Sequence, residues 1–251
     1  MISKGQIKQV KALHLKKFRD EQGLFIAEGV KIVSEIIHSH PSMIEHLFAT
    51  DQFIKANASV LGKSEKTVSV NDAELERIST LQTPNQVLAV CKKFPKQNPT
   101  IDITRQFSLY LDDIRDPGNL GTILRIADWF GIGEIFVSEQ STDLYNPKTI
   151  QSAMGAFLRV KVHYMNLDRV VADSNAPLYG AVLNGENIYK QKLQNGLIII
   201  GNEANGITDE NLKKISHPIT IPASSANQTE SLNAAMATSI ICSEFFRQIK
   251  L

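Results

Sequence analysis

Apolar positions along this chain fall into two kinds of run. Short continuous apolar stretches stand at residues 24–27 and 87–91, and short stretches mixing apolar with polar residues at 44–49 and 67–70. Between them stand segments with apolar residues three and four apart, such as Ile32, Val33, Ile36 and Ile37. The first kind marks buried strands and the second marks amphipathic helices. The pattern therefore predicts helices over residues 1–22, 30–38 and 51–61, and a short one opening at Asn71 or Asp72. After residue 106 the alternation resumes, with strands predicted at 108–112, 134–138, 160–163, 178–183, 197–200 and 219–222. A last helix runs from about Ser231 to the end. Uninterrupted apolar runs such as Leu197-Ile198-Ile199-Ile200 suit a parallel sheet covered on both faces.

Pro95, Pro99 and their polar neighbours break the pattern and lack any period. The predicted organisation is a smaller α/β domain over residues 1–94, a linker over 95–106 and a second α/β domain over 107–251. The first is long enough to bury a core of its own.

The clearest junction lies early in the second domain. The apolar run 107–111 meets Asp112 and Asp113, then Pro117-Gly118. Asn119, a favoured N-cap, precedes a helical pattern of Leu120, Ile123, Leu124, Ala127 and Phe130. Gly131 stands where a left-handed residue would end that helix. A polar loop at the carboxyl end of a strand is where open α/β sheets bind ligands. Asn119 and Arg125, six residues apart, are the side chains that stand out in this stretch. Further polar loops cover residues 146–156, 201–206 and 221–233, and none has a zinc, Walker or nucleophile-elbow signature. In Gly201-Asn202-Glu203-Ala204-Asn205-Gly206 a carboxylate occupies the second position of a dinucleotide-type glycine fingerprint. At close range it would repel a pyrophosphate and favour amine or hydroxyl donors.

A net charge of +1 argues against a surface that is basic throughout, yet the charges are unevenly placed. Ahead of Asp20 stand Lys4, Lys8, Lys11, Lys16, Lys17 and Arg19. Lys8, Lys11, Lys16, Lys17 and Arg19 are candidates for a phosphate-contacting face, with a solvated helix face as the plainer reading. No apolar run approaches the roughly 18 residues of a membrane span, so no membrane association is expected. The first residues lack the apolar core of a signal peptide. Cys91 and Cys242 lie far apart in apolar surroundings, which suits buried thiols in a cytoplasmic protein. No Cys/His cluster has zinc spacing, so no metal is expected. Trp129 is expected in the core or an interface, and the small residues Ala234, Ala235, Ala237, Thr238 and Ser239 predict close packing of the last helix.

Taken together, residues 111–236 resemble the SpoU (TrmH-type) branch of the SPOUT methyltransferases. Three motifs in order carry the resemblance: Asn119, Gly121 and Arg125 after an acidic strand end; Ile200, Gly201, Glu203 and Gly206; and Ile221-Pro222 followed by Ser231-Leu232-Asn233. Ser152 and Gly155-Ala156 match a secondary feature. The first domain resembles the substrate-binding domain, related to RNA-binding ribosomal proteins, that often precedes this one. Residues 23–29 and 83–90 carry that likeness. The resemblance implies methyl transfer from S-adenosylmethionine to a ribose 2′-hydroxyl, in ribosomal RNA by preference because tRNA-directed relatives commonly lack the first domain. It also implies a C-terminal parallel sheet with a deep trefoil knot and a homodimer that completes the active site. Asn119, Arg125, Glu203, Ser231 and Asn233 are then the catalytic candidates, and Leu183, Gly201, Ile221 and Leu232 the cofactor contacts. Arg125 is either the activator of the ribose hydroxyl or a bidentate anchor for the target phosphate. The alternatives are a tRNA 2′-O-methyltransferase and a non-catalytic RNA-binding or ribosome-assembly protein with the same fold.

Overall fold

The computed structural model describes residues 2–251 except 63–64, 96–98, 100, 173 and 225–229. Parts of the predicted linker over 95–106 and of the polar loop over 221–233 thus lie outside the described residues. The chain forms two compact units: Met1–Gln97 with Asp143–Leu158, and Asn98–Thr142 with Arg159–Leu251. Helices α1 (Lys4–Ala12) and α2 (Lys16–Gln22) open the chain, followed by β1 (Leu24–Glu28), α3 (Val30–Ser39) and β2 (Ile44–Ala49). Then come α4 (Asp51–Ala56), α5 (Ala58–Leu61), β3 (Thr67–Ser69), α6 (Asp72–Glu76) and β4 (Val87–Lys92). The next elements are β5 (Ser108–Leu111), α7 (Pro117–Trp129), β6 (Glu134–Val137), α8 (Pro147–Ala153), β7 (Lys161–Tyr164) and α9 (Leu167–Val171). The chain ends with β8 (Leu178–Asn187), β9 (Leu197–Ile200), α10 (Asp209–Leu212), β10 (His217–Thr220) and α11 (Ala234–Lys250).

The first unit holds a four-stranded sheet in the order β1-β4-β2-β3. Strand β4 runs antiparallel to β1 and β2, and β3 runs parallel to β2. Val10 and Leu13 pack with Ile26, Phe48, Leu75 and Leu88 in its core. The predicted helix over 1–22 is two helices. Ser3 and Gln6 form a capping box at the start of α1, and Gly23, at φ +66°, ends α2. The break between them is held by Arg19, whose Nη1 donates to the carbonyls of Leu13 and His14, each at 2.9 Å. Its Nε and Nη2 donate to Asp143 Oδ2 at 3.2 and 2.8 Å. Arg19 is only 2% exposed, which removes it from the phosphate-contacting set. All of its donor groups face protein acceptors, so it is a structural residue.

Residues 143–158, which the sequence places in the second domain, pack within the first unit. The Phe25 ring meets those of Tyr145 and Phe157 at centroid distances of 4.9 and 6.0 Å. The Tyr145 hydroxyl accepts the Phe94 N–H at 3.0 Å. A buried carboxylate does similar work at the end of β1. Glu28 accepts the Thr80 N–H at 2.9 Å and the hydroxyls of Ser79 and Thr80.

The second unit is built on a six-stranded sheet in the order β10-β8-β9-β5-β6-β7, and every neighbouring pair is parallel. All four residues of β5 and of β9 are buried, as their apolar runs require. A parallel sheet brings the loops after its strands to one edge. The loops after β5, β9 and β10 therefore face a common region although up to 114 residues separate the side chains they bring together. Between Pro218 and Ile219 of β10, the partner on β8 jumps from Gly180 to Glu186. Residues 181–185, Leu183 among them, leave the ladder as an excursion. Gly185 allows the strands to close again, because a Cβ there would lie 2.5 Å from a backbone atom of Ile219.

Both cysteines are buried and unpaired, and burial pushes each thiol up to about 12. Trp129, expected in the core or an interface, is 84% exposed on α7 in the single chain. Among the described residues, no helix is long and apolar enough to cross a membrane. Likewise no group of three His, Cys, Asp or Glu side chains among them could hold a metal.

Candidate active site

Helix α7 begins one turn earlier than its apolar pattern suggests. Asp116 is the N-cap and Pro117 the first helical residue, an arrangement that Asp-Pro favours. Asp116 Oδ1 accepts the Asn119 N–H at 3.0 Å. Asn119 is thus not the cap that the sequence predicts. Its side-chain amide, free of that task, turns to two other loops.

Asn233 sets the direction of the resulting network. Asn233, rather than Ser231, is the N-cap of α11, and its Oδ1 accepts from Ala235 N and Met236 N at 3.0 and 3.2 Å. Its Nδ2 must then donate, and Asn119 Oδ1 receives it at 2.9 Å. Asn119 Nδ2 in turn donates to Glu203 Oε1. Each amide is oriented by the bond before it, so the series ends on an acceptor, which the Glu203 carboxyl oxygen provides. Three residues predicted from three separate motifs meet here: Asn119, Glu203 and Asn233.

The loop bearing Glu203 is itself a closed turn. Asn202 and Gly206 exchange backbone hydrogen bonds at 2.9 Å in both directions. A Cβ on Gly201 would come within 2.2 Å of the Gly206 backbone, so this position is glycine for the turn's own sake. This steric requirement stands beside the cofactor contact expected at Gly201 and does not bear on it. Asp112 Oδ2 accepts from the N–H and hydroxyl of Thr208 at 2.8 and 2.9 Å, which fixes the far side of the loop.

The other predicted residues are placed differently. Arg125 is exposed on α7, and no described residue pairs with its guanidinium. Six residues of helix set it about 9 Å along the axis from Asn119 and about a third of a turn round. It is therefore outside the amide–carboxylate network of its own chain. Ser231 is exposed beside Asn233, with no hydrogen-bond partner among the described residues. Leu183 and Ile221 are neighbours, since the Thr220 hydroxyl donates to the Leu183 carbonyl at 3.1 Å. Leu183 is 69% exposed and Leu232 43%. Large aliphatic side chains left open beside polar loops fit a ligand with a flat apolar ring and hydrogen-bonding edges.

Sequence reasoning missed Asp116, Asn202, Asp113 and Arg115. Asp116 carried a readable signal in the Asp-Pro pair. Asn202 and Asp113 depend on a contact between segments about 90 residues apart, Asn202 Nδ2 to the Asp113 carbonyl at 2.9 Å, while Arg115 pairs locally with the Asp113 carboxylate.

Comparison with known proteins gives the family. Residues 106–243 match the SpoU rRNA Methylase family, and residues 4–89 match the MRM3-like substrate binding domain. The chain is 29% identical over 241 residues to the 23S rRNA (guanosine(2553)-2'-O)-methyltransferase RlmP of Bacillus subtilis, covering 94% of each chain. Among solved structures it superposes on a TrmH-family protein from Porphyromonas gingivalis with a TM-score of 0.86 and 34% identity, covering 99% of both chains. It also superposes on the AdoMet-bound rRNA methyltransferase from Sinorhizobium meliloti with a TM-score of 0.83 and 26% identity, covering 98% of this chain and 97% of that one. A match spanning more than half of the sequence, with the motif residues gathered at one edge of a parallel sheet, makes this chain a member of the SpoU rRNA methylase family.

Proposed function

We propose that this protein transfers the methyl group of S-adenosylmethionine to a ribose 2′-hydroxyl of ribosomal RNA. The observation that carries the reading is the convergence of Asn119, Glu203 and Asn233 from three loops into one oriented network. When bound, the cofactor supplies a methyl group already activated by its sulfonium, so the protein's part is alignment and management of one proton. Positioning alone can lower a barrier by roughly 7–11 kcal/mol. Glu203 and the two Asn side chains order the floor of the site. Arg125, charged and unpaired among the described residues, meets the RNA either at the target hydroxyl or at its phosphate. An arginine stays protonated in nearly all proteins, which favours the phosphate.

The cofactor would lie against Leu183, Ile221 and Leu232, beside the turn that Gly201 closes. The parallel sheet carries the family's deep trefoil knot in its C-terminal segment. The protein works as a cytoplasmic homodimer, without a metal. Exposed Trp129 on α7 and Met236 on α11, at 84% and 59%, leave apolar surface for a second copy to cover. That pairing brings Arg125 of one copy toward the network of the other. The first unit holds the RNA, with Lys8, Lys11, Lys16 and Lys17 exposed on α1 and α2.

Calorimetry with S-adenosylmethionine tests the reading. Saturable binding by the wild-type protein, weakened by Leu183→Asp, is expected. A folded protein that takes no cofactor would support a non-catalytic RNA-binding role instead.

A further inference from the structure

The two carboxylates at the end of β5 and the residue before Glu203 have no assigned task in methyl transfer. Their contacts give them one. Asn202 uses its whole side chain: Oδ1 accepts from Ala204 N and Asn205 N at 2.8 and 3.2 Å, and Nδ2 donates to the Asp113 carbonyl at 2.9 Å. Its backbone closes the turn with Gly206. Glu203 sits inside this turn, so its place relative to Asn119 follows from where Asn202 is held.

Asp113 is in turn fixed firmly. It has φ +55°, a left-handed conformation that is uncommon for a residue other than glycine. Its N–H donates to Ser138 Oγ at 2.8 Å. Its carboxylate receives Arg115 through both oxygens, Nε to Oδ1 at 3.0 Å and Nη2 to Oδ2 at 2.9 Å. The left-handed backbone aims the Asp113 carbonyl at Asn202, and the surrounding bonds over-determine that conformation. Asp112 anchors Thr208 on the other side of the same loop. Both acidic side chains of the strand end are therefore occupied by scaffolding.

We propose that Asn202 is a positioning residue for methyl transfer, coupling the rigid Asp113 carbonyl to the turn that presents Glu203 to Asn119. This rests on the reading of Glu203 as part of the active site, and a double-mutant cycle separates the two ideas. The enzyme is assayed with labelled S-adenosylmethionine and ribosomal RNA as wild type, Asn202→Ala, Glu203→Ala and the double variant, with thermal melts alongside. Asn202→Ala is expected to lower kcat roughly 10- to 100-fold, as a small displacement of an aligned group does, with KM for both substrates changed much less. In the Glu203→Ala background the same change is expected to cost nothing further. Wild-type kcat in Asn202→Ala, or an equal loss in both backgrounds, would overturn the proposal while leaving Glu203 in place. Full turnover by Glu203→Ala would overturn the site assignment and the proposal together. Should Asn202→Ala fail to fold, Asn202→Asp serves in the same cycle. It keeps both acceptor bonds of the turn and sets a carboxylate oxygen against the Asp113 carbonyl.

Discussion

The two units use strand direction differently, and this decides where chemistry can gather. In the six-stranded sheet every neighbouring pair is parallel, so loops distant in sequence reach one edge and their polar side chains converge. In the four-stranded sheet β4 runs against β1 and β2, so successive loops are shared between two ends. There the polar side chains that are buried hold segments together, as Arg19 and Glu28 do. What that unit offers an outside molecule is an exposed row of lysines on α1 and α2. A constellation and a charged face are different kinds of site, and they should fail in different ways when altered.

Two arginines give the sharpest contrast. Arg125→Ala is expected to lower methyl transfer by about 10²-fold or more, the scale for losing alignment of the bound substrate, with an unchanged melting curve. Near-wild-type turnover would break the assignment. Arg19→Ala is expected to do the reverse. It leaves Asp143 half-buried without its ion pair, and loss of one partner of a buried pair costs about 3–5 kcal/mol. Denaturant unfolding of the first unit should report this. A stable Arg19→Ala variant with impaired RNA binding would return Arg19 to the charged face.

A smaller effect is expected for charge reversal at Lys8, Lys11 and Lys16 together. RNA affinity should fall and its dependence on salt should flatten, by about 0.7–0.9 in log–log slope for each phosphate that is no longer neutralised. Filter binding at several salt concentrations measures both. An unchanged slope would mean that the row is only a solvated face.

The smallest effect concerns the far strand of the parallel sheet. Burial holds the His163 imidazole below its ordinary pKa, although Glu134, 3.5 Å away, opposes this. The unfolded chain takes up a proton as pH falls through about 6.5 while the folded chain resists it. Stability from this group is therefore present above about pH 6.5 and is lost toward lower pH. His163→Phe should flatten that acid-side decline in melting temperature, and an unaltered pH profile would place its origin elsewhere.

The architecture was legible because its strands are short apolar runs, and period alone placed β1, β2, β5, β6 and β9 within a residue of their ends. That Asn119, Glu203 and Asn233 belong together was legible through their match to the family's motifs, and the structure joins these three by hydrogen bonds. Caps were less so. Asn119 and Asp116 are both good N-caps, and the Pro after Asp116 is the local signal that decides between them. Nothing local distinguishes buried Arg19 from the exposed lysines beside it, because its acceptor Asp143 lies 124 residues away. The same holds for Asn202 and Asp113, whose pairing exists only once β5 and β9 lie side by side.

Transfer of labelled methyl from S-adenosylmethionine to ribosomal RNA, followed by alkaline hydrolysis, tests the central claim most directly. A methylated 2′-oxygen cannot attack the adjacent phosphate, so the label should appear in alkali-resistant dinucleotides and vanish in the Arg125→Ala variant. Label in single nucleotides, which marks a methylated base, or no incorporation into ribosomal RNA at all, would contradict it.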